Sequence, residues 1–382
     1  MSSIHKIHSY PFSIIYFLIN LSWLLPTNTA NIVVLYLVLL NIRKISRNGL
    51  IIFFVCSALI LAGSIRGLFY FNDLETLSLT RLIYVVSIVY LIFSSYDRMD
   101  YEQLQRDSTV VILLGGFFSL TALINYYSTF MLNTDFSEFL FDIPLQKYSF
   151  RLLGWHANPN NNAFYVGSAL IFMLGLEREN RTKIHYVSTS LVLLLILVSG
   201  SRGAIIGVIF LLMFSVVNFR IKNVLLAFVI IFFIIRISNI IELEALQKLI
   251  ARLSISDNTG LSKSQFRGQI WAEHWDELSK SFTNLLFGFG MPGYLDKATD
   301  GSFFRLIGLF GLPIGTIIFL YSCGLTSNLQ RFTSEFKISF FLFMLPNLLF
   351  NDWIMTKSFG LLFGYFLVRD KIRKKSVLLK IS

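Results

Sequence analysis

"IHYVSTSLVLLLILVSGSRGAIIGVIFLLMFSVV", residues 184–217, holds two apolar runs joined by a short turn of small residues, with Arg202 inside the turn. Each run is continuous and does not alternate with period two, so neither reads as a half-buried strand or a barrel strand. A helix needs about twenty apolar residues to cross the hydrocarbon, and shorter cores serve when aromatic and polar residues sit at the interfaces. The same pattern recurs at about 11–25, 29–42, 50–70, 81–95, 109–132, 163–176, 223–241, 302–323, 336–350 and 353–368. Composition agrees: 55% of residues are hydrophobic, 16% aromatic and 14% charged, with a mean hydropathy of +0.66, whereas a soluble domain carries about a quarter charged residues. The expected fold is all-α, a polytopic integral membrane protein of about twelve transmembrane helices.

Orientation follows from the basic residues of the short connections. With both termini in the cytoplasm, the inside segments hold Lys6; Arg43, Lys44 and Arg47; Arg98 and Arg106; Arg178, Arg181 and Lys183; Arg220 and Lys222; Arg331 and Lys337; and the tail from Arg369 to Lys380. These are more than half of the 33 Lys and Arg residues, while the outside connection 71–80 carries only acids. The net charge of +11 is therefore a membrane signature and not one of nucleic-acid binding, since its densest cluster, "RDKIRKK" at 369–375, directly follows the last run and suits an anionic lipid surface. The N-terminal run lacks a small-residue cleavage site and reads as an uncleaved anchor. Cys56 and Cys323 lie in or beside apolar runs and suggest neither a disulfide framework nor a metal site.

This arrangement divides the chain into an N-terminal bundle (1–150), a central region (151–325) with a large outside loop at 242–301, and C-terminal helices with a basic tail (326–382). Four polar stretches reach the same outer face. "RLLGWHANPNNNAFYVG" at 151–167 is a turn-rich entrance to a helix, in which the asparagines can cap backbone amides and Arg151 and His156 stand out. "SGSRGAIIG" at 199–207 lets two helices turn tightly and pack closely, and leaves the Arg202 guanidinium either to snorkel or to meet a phosphate. In the loop, 241–255 and 264–282 are amphipathic helices. The second aligns Phe266, Ile270, Trp271, Trp275 and Leu278 on one face, with Arg267 near its start. "FGFGMPGYLDKATDGSFFRLIGLFGLPIG" at 287–315 forms a glycine-rich turn at the outer surface. Its Asp300 suits a helix N-cap, and Arg305 lies one turn into the membrane edge, where a charge marks a functional site.

At these residues the chain resembles the O-antigen polymerase and ligase superfamily of bacterial membrane glycosyltransferases. The likeness rests on "R-x-x-G…PN" (Arg151, Gly154, Pro159, Asn160), "SxSRG" (Ser199, Ser201, Arg202, Gly203), "R-x-x-x-W" (Arg267, Trp271), "GxG" (Gly288, Gly290), and "D-x-S-x-x-R-L-x-x-x-x-G-x-x-G" (Asp300, Ser302, Arg305, Leu306, Gly311, with Gly315 one place late). It implies transfer of a glycan from an undecaprenyl-diphosphate carrier to an acceptor hydroxyl on the extracytoplasmic side of the inner membrane, with no metal, cofactor or nucleotide sugar. It further implies a flippase and a chain-length regulator as partners, and no nucleic acid. Ligases that attach glycan to lipid A core carry a His where this chain has Asp300, so the polymerase branch fits better.

Guanidinium groups in a dry groove stabilise the charge that develops on a departing diphosphate, which suits Arg202 and Arg267, with Arg305 and Arg151 beside them. The acceptor hydroxyl needs a proton acceptor, for which Asp300 is the best carboxylate and Glu273 and His274 are weaker candidates. His156, Asn160, Trp271 and His274 suit the acceptor sugar. The alternatives are a ligase to lipid A core or protein, and a flippase or transporter of lipid-linked oligosaccharide. A flippase should show two similar halves and a charged central cavity; neither is visible here.

Overall fold

The computed structural model describes residues 11–21, 47–71, 99–136 and 138, 152–156, 158–217, 258–290, 301–325, 335–350 and 357–381. Among them there is no strand. The helices are α1 (Pro11–Leu21), α2 (Arg47–Phe71), α3 (Tyr101–Leu132), α4 (Pro159–Gly167), α5 (Ala169–Gly175), α6 (Lys183–Ser199), α7 (Arg202–Val217), α8 (Asn258–Ser279), α9 (Phe282–Phe287), α10 (Ser302–Ser322), α11 (Glu335–Phe350) and α12 (Lys357–Ile381). Among the described residues two stretches, Tyr101–Thr129 and Ser302–Ser322, are long and apolar enough to cross a membrane. Large apolar side chains stay bare on the outside of the bundle, Phe69 at 78% and Ile317 at 66% exposure among them. Apolar surface of that kind marks contact with another apolar phase and points to membrane association. The runs expected at 29–42, 81–95 and 223–241, and the amphipathic helix at 241–255, lie outside the described residues.

Several boundaries depart from the expected ones for local reasons. Helix α3 starts at Tyr101 and not at 109, because Asp100 and Gln103 form a reciprocal capping box, with the Gln103 amide donating to Asp100 at 2.7 Å. The run at 163–176 is two short helices, and at the break the Ser168 hydroxyl donates to the Tyr165 carbonyl at 2.7 Å, a back-bond that bends a helix. Helix α12 runs on through the basic tail, whose Lys, Arg and Leu residues favour the helix.

Helix α3 is the hub, with α1, α5 and α6 packed along it. Small residues make this possible: Gly115 faces Ala169 of α5, and Gly116 faces the backbone of Ser188 on α6, where a methyl group would overlap. Close backbone approach of this sort drives helix association where the surroundings are as apolar as the side chains. Helix α7 packs instead along α11, with Gly207 against Phe343 and Asn347. The small residues at 199–204 thus make the turn between α6 and α7, while close packing of those two helices on one another, expected from sequence, gives way to packing on different partners.

One end of the bundle is tied together by polar contacts. The Asp107 carboxylate accepts from the Phe12 and Ser13 amides, both at 2.9 Å, at the start of α1. Gln105 donates to the Gly175 carbonyl and accepts from the Glu177 amide. Arg369 also donates to Gly175 and lies 3.9 Å over the Phe336 ring. The starts of α1, α3 and α11, the end of α5 and the base of the α12 tail therefore share one end, and these are the segments that carry Arg106, Lys337 and Arg369, with Arg178 three residues past α5.

Candidate functional site

The opposite end gathers the motif-bearing stretches. The Leu152 amide meets the Val198 carbonyl at 3.5 Å, which lays the 152–158 segment against the turn between α6 and α7. That turn is closed by Gly200 in the left-handed region (φ 61°) and by the Ser201 amide donating to the Ser199 hydroxyl. Arg202 opens α7 immediately afterwards. Gly301, before α10, sits so close to the Leu349 carbonyl of α11 that a side chain there would overlap. Helix α8 lies on the head of α10 through Trp271, stacked on Phe304 at 4.9 Å.

The buried face of α8 is set by Ile270, His274 and Leu278, spaced four residues apart, with Trp271 half-buried beside them. Trp275, expected on that face, points outward at 43% exposure. His274 takes the place, 1% exposed, with its ring edge-on to Phe289 at 5.0 Å and to Phe304 at 6.1 Å. Among the described residues, neither of its ring nitrogens nor the Trp271 indole N–H has a hydrogen-bond partner in good geometry. Burial pulls the His274 pKa down to about 4, and the Phe304 backbone offsets this only in part, so the imidazole is neutral at pH 7. Arg305, next in sequence to Phe304, is 2% exposed. Trp271 and His274 thus meet at Phe304 on the head of α10, offering a ring N–H donor and a neutral imidazole that both accepts and donates, with the buried Arg305 next in sequence.

Helix α10 is broken. Gly311 adopts φ 80°, ψ 169°, outside the helical region, and Pro313 follows two residues later. The Gly308 carbonyl, freed by the break, accepts from the amides of Phe289 at 2.8 Å and Gly290 at 3.1 Å. Six residues separate Ser302 from Gly308, so at 1.5 Å per residue the 288–290 turn descends about 9 Å below the head of α10. The glycine-rich turn is buried in protein, packed between α2 and α10. Irregular backbone buried in this way persists where neighbouring protein satisfies its polar groups.

Around the entrance, Asn158 and not the following asparagines caps α4, accepting from the Asn160 amide at 2.8 Å, with Pro159 in the first helical position. Asn160 is half-exposed. His156 is 4% exposed, 3.3 Å from the Asn20 amide oxygen and edge-on to Tyr165 at 4.5 Å; burial lowers its pKa to about 3. His156 is thus packed between the entrance and α1, apart from the Trp271 and His274 pair. Asn162 is fully buried against Gly154, and neither of its side-chain amide atoms has a hydrogen-bond partner among the described residues. The N-cap position of α10 belongs to Gly301 and not to Asp300. Arg151 and Asp300, and the side chains of Arg202 and Arg267, lie outside what the structure describes.

No family model, no curated protein and no solved structure matches this chain. Its function therefore rests on the residues themselves.

Sequence reasoning passed over Arg66, Tyr70, Glu277 and Asn284, which join α2 to the loop helices. Their signal was an arginine inside an apolar run, flanked by Gly63 and Gly67 at a spacing suited to close backbone crossing.

Proposed function

We propose that the chain is a membrane glycosyltransferase that polymerises undecaprenyl-diphosphate-linked oligosaccharide units into an O-antigen, capsular or exopolysaccharide on the extracytoplasmic side. The observation that supports it best is the cluster at the head of α10: Trp271 Nε1 and both His274 ring nitrogens are buried without partners among the described residues. Unmade buried hydrogen bonds cost about 1–3 kcal/mol each, a cost that a hydroxyl-rich ligand relieves on binding. A sugar supplies such hydroxyls. Further support is the meeting of the entrance, the turn before α7 and the head of α10 at one end, away from the basic end, as a two-sided membrane enzyme requires.

In this reading Arg202 and Arg267, with Arg305 and Arg151, hold the donor diphosphate. The acceptor hydroxyl oxygen bonds to the anomeric carbon as the bond from that carbon to the diphosphate oxygen breaks. The electron pair and charge leave on the carrier diphosphate, where fixed guanidinium groups stabilise it as it forms. The hydroxyl proton passes to Asp300 or to neutral His274. The twelve-span topology, with both termini cytoplasmic, belongs to the same proposal.

Deleting the chain tests the reading. A polymerase leaves single repeat units attached to core or accumulated on the carrier at the outer face. Loss of all surface attachment with long polymer still on the carrier would instead mean a ligase, and carrier-linked units trapped at the inner face would mean a flippase.

A further inference from the structure

Helix α2, in the first third of the chain, carries none of the motifs, yet it grips the motif-bearing segment at five points. The Arg66 guanidinium donates from Nε to the Gly288 carbonyl at 3.2 Å and from Nη2 to the Asn284 side-chain oxygen at 3.0 Å. One turn further along, the Tyr70 hydroxyl donates to the Glu277 carboxylate at 2.7 Å, and the Tyr70 ring lies 5.5 Å from that of Phe289. Gly290, at φ 82°, sits in the groove between Gly63 and Gly67, where any side chain would run into the α2 backbone. On its other side the same turn meets α10, with Gly288 against Gly308 and Gly311.

The physical logic turns on the backbone of 288–290. Gly288 ends α9 at φ 67° and cannot continue the helix, so its buried carbonyl needs a partner within the protein. Arg66 supplies that partner and also fixes Asn284 one turn earlier, using the fork geometry that a lysine lacks. The amides of Phe289 and Gly290 can then reach the Gly308 carbonyl left open by the break in α10. Phe289 is the wall against which His274 sits, and Gly308 lies three residues beyond Arg305 on the same half-helix.

We infer that Arg66 is a positioning residue: by clamping Gly288 and Asn284 it sets the buried 288–290 turn and, through Phe289 and Gly308, fixes His274 and Arg305 in the geometry used for transfer. The inference rests on the glycosyl-transfer reading of that site and adds a residue from the first third of the chain to its machinery. Among the described residues the Arg66 guanidinium donates to a backbone and an amide oxygen, while the Glu277 carboxylate accepts from Tyr70 and Lys280.

The test uses full-length protein in lipid nanodiscs, with Arg66→Ala and Arg66→Lys compared with wild type by two readouts. Hydrogen exchange reports the Phe289 and Gly290 amides directly. In Arg66→Ala they should exchange at least tenfold faster while α3 and α6 keep wild-type protection, and Arg66→Lys should restore part of the protection. Polymer formation from carrier-linked units should fall in kcat by on the order of 100-fold for Arg66→Ala with little change in donor KM, as expected when reacting groups are displaced by about an ångström. Unchanged exchange at 289–290, or lost protection with normal turnover, overturns the inference, and a rise in KM alone would make Arg66 a donor contact. If Arg66→Ala does not accumulate, Asn284→Ala carries the same test, with the same direction and a smaller change. A wild-type protein that makes no polymer overturns the transfer reading alone, and the exchange readout still decides the clamp.

Discussion

Replacing His274 by Phe should make the protein more stable and inactive at once. The ring is 1% exposed between Phe289 and Phe304, so a phenyl group of nearly the same shape fits the space. Both imidazole nitrogens lack partners among the described residues, and removing buried polar atoms that make no hydrogen bond returns about 1–3 kcal/mol. Acid widens the gap. The folded protein holds the His274 pKa near 4, below the ordinary 6.5, so the unfolded chain takes up a proton that the folded chain refuses. Stability contributed by the neutral ring is complete above pH 6.5 and falls by about 1.4 kcal/mol per pH unit between 6.5 and 4. His156, depressed to about 3, acts in the same sense in both proteins and cancels in the comparison. The assay is thermal unfolding in detergent at pH 7.5, 5.5 and 4.5, alongside polymer formation at pH 7.5. His274→Phe should unfold several degrees higher at pH 7.5, with the difference growing towards pH 4.5, and make no polymer. A variant that unfolds lower at pH 7.5 would refute the claim that the nitrogens are unspent, and a stable variant with full turnover would refute their use in the site.

Arg202→Ala and Arg267→Ala should each abolish polymer while protein level and carrier-linked single units persist, and Lys at either position should restore little, since a point charge lacks the planar fork; wild-type polymer from either Ala variant would reduce that arginine to a snorkelling residue. Asp300→Asn should stop turnover with folding intact, because Gly301 and not Asp300 holds the cap of α10; near-normal turnover per folded molecule would leave His274 as the proton acceptor. In intact cells an impermeant thiol reagent should label a cysteine at position 263 and spare one at position 374, and the reverse pattern would overturn the orientation and the sidedness of the site. Gly311→Ala should cost about 1–3 kcal/mol from backbone strain alone, with overlap on the Leu286 carbonyl adding to it, and would show as lower unfolding temperature and lost polymer; a silent substitution would mean the break in α10 is dispensable.

The helical runs were legible because their signal is local. Continuous apolar residues at 184–199, 203–217 and 336–350 need no knowledge of partners, and the helices found there match within a residue or two. The face of α8 was half legible: its period was clear, but Ile270, His274 and Leu278 repeat every four residues as plainly as any aromatic pair, and a histidine reads as polar until something apolar covers it. The break in α10 was written in "GLP" at 311–313, a glycine and a proline inside an apolar run, yet its meaning depends on a turn twenty residues earlier that satisfies Gly308. Arg66 was the least legible. A charge inside an apolar run announces that a partner exists, but Gly288 and Asn284 lie more than two hundred residues away, and no spacing rule connects them.

The central claim is that this chain joins carrier-linked units to one another. The most direct measurement is to supply purified protein in nanodiscs with undecaprenyl-diphosphate-linked repeat units, taken from cells deleted for the chain, and to resolve the products by size. A ladder of polymer lengths that forms without added metal or nucleotide sugar, with release of undecaprenyl diphosphate in step with each linkage, is the predicted result. Units that remain single while folded protein binds them, or that only exchange between bilayer leaflets, would contradict it.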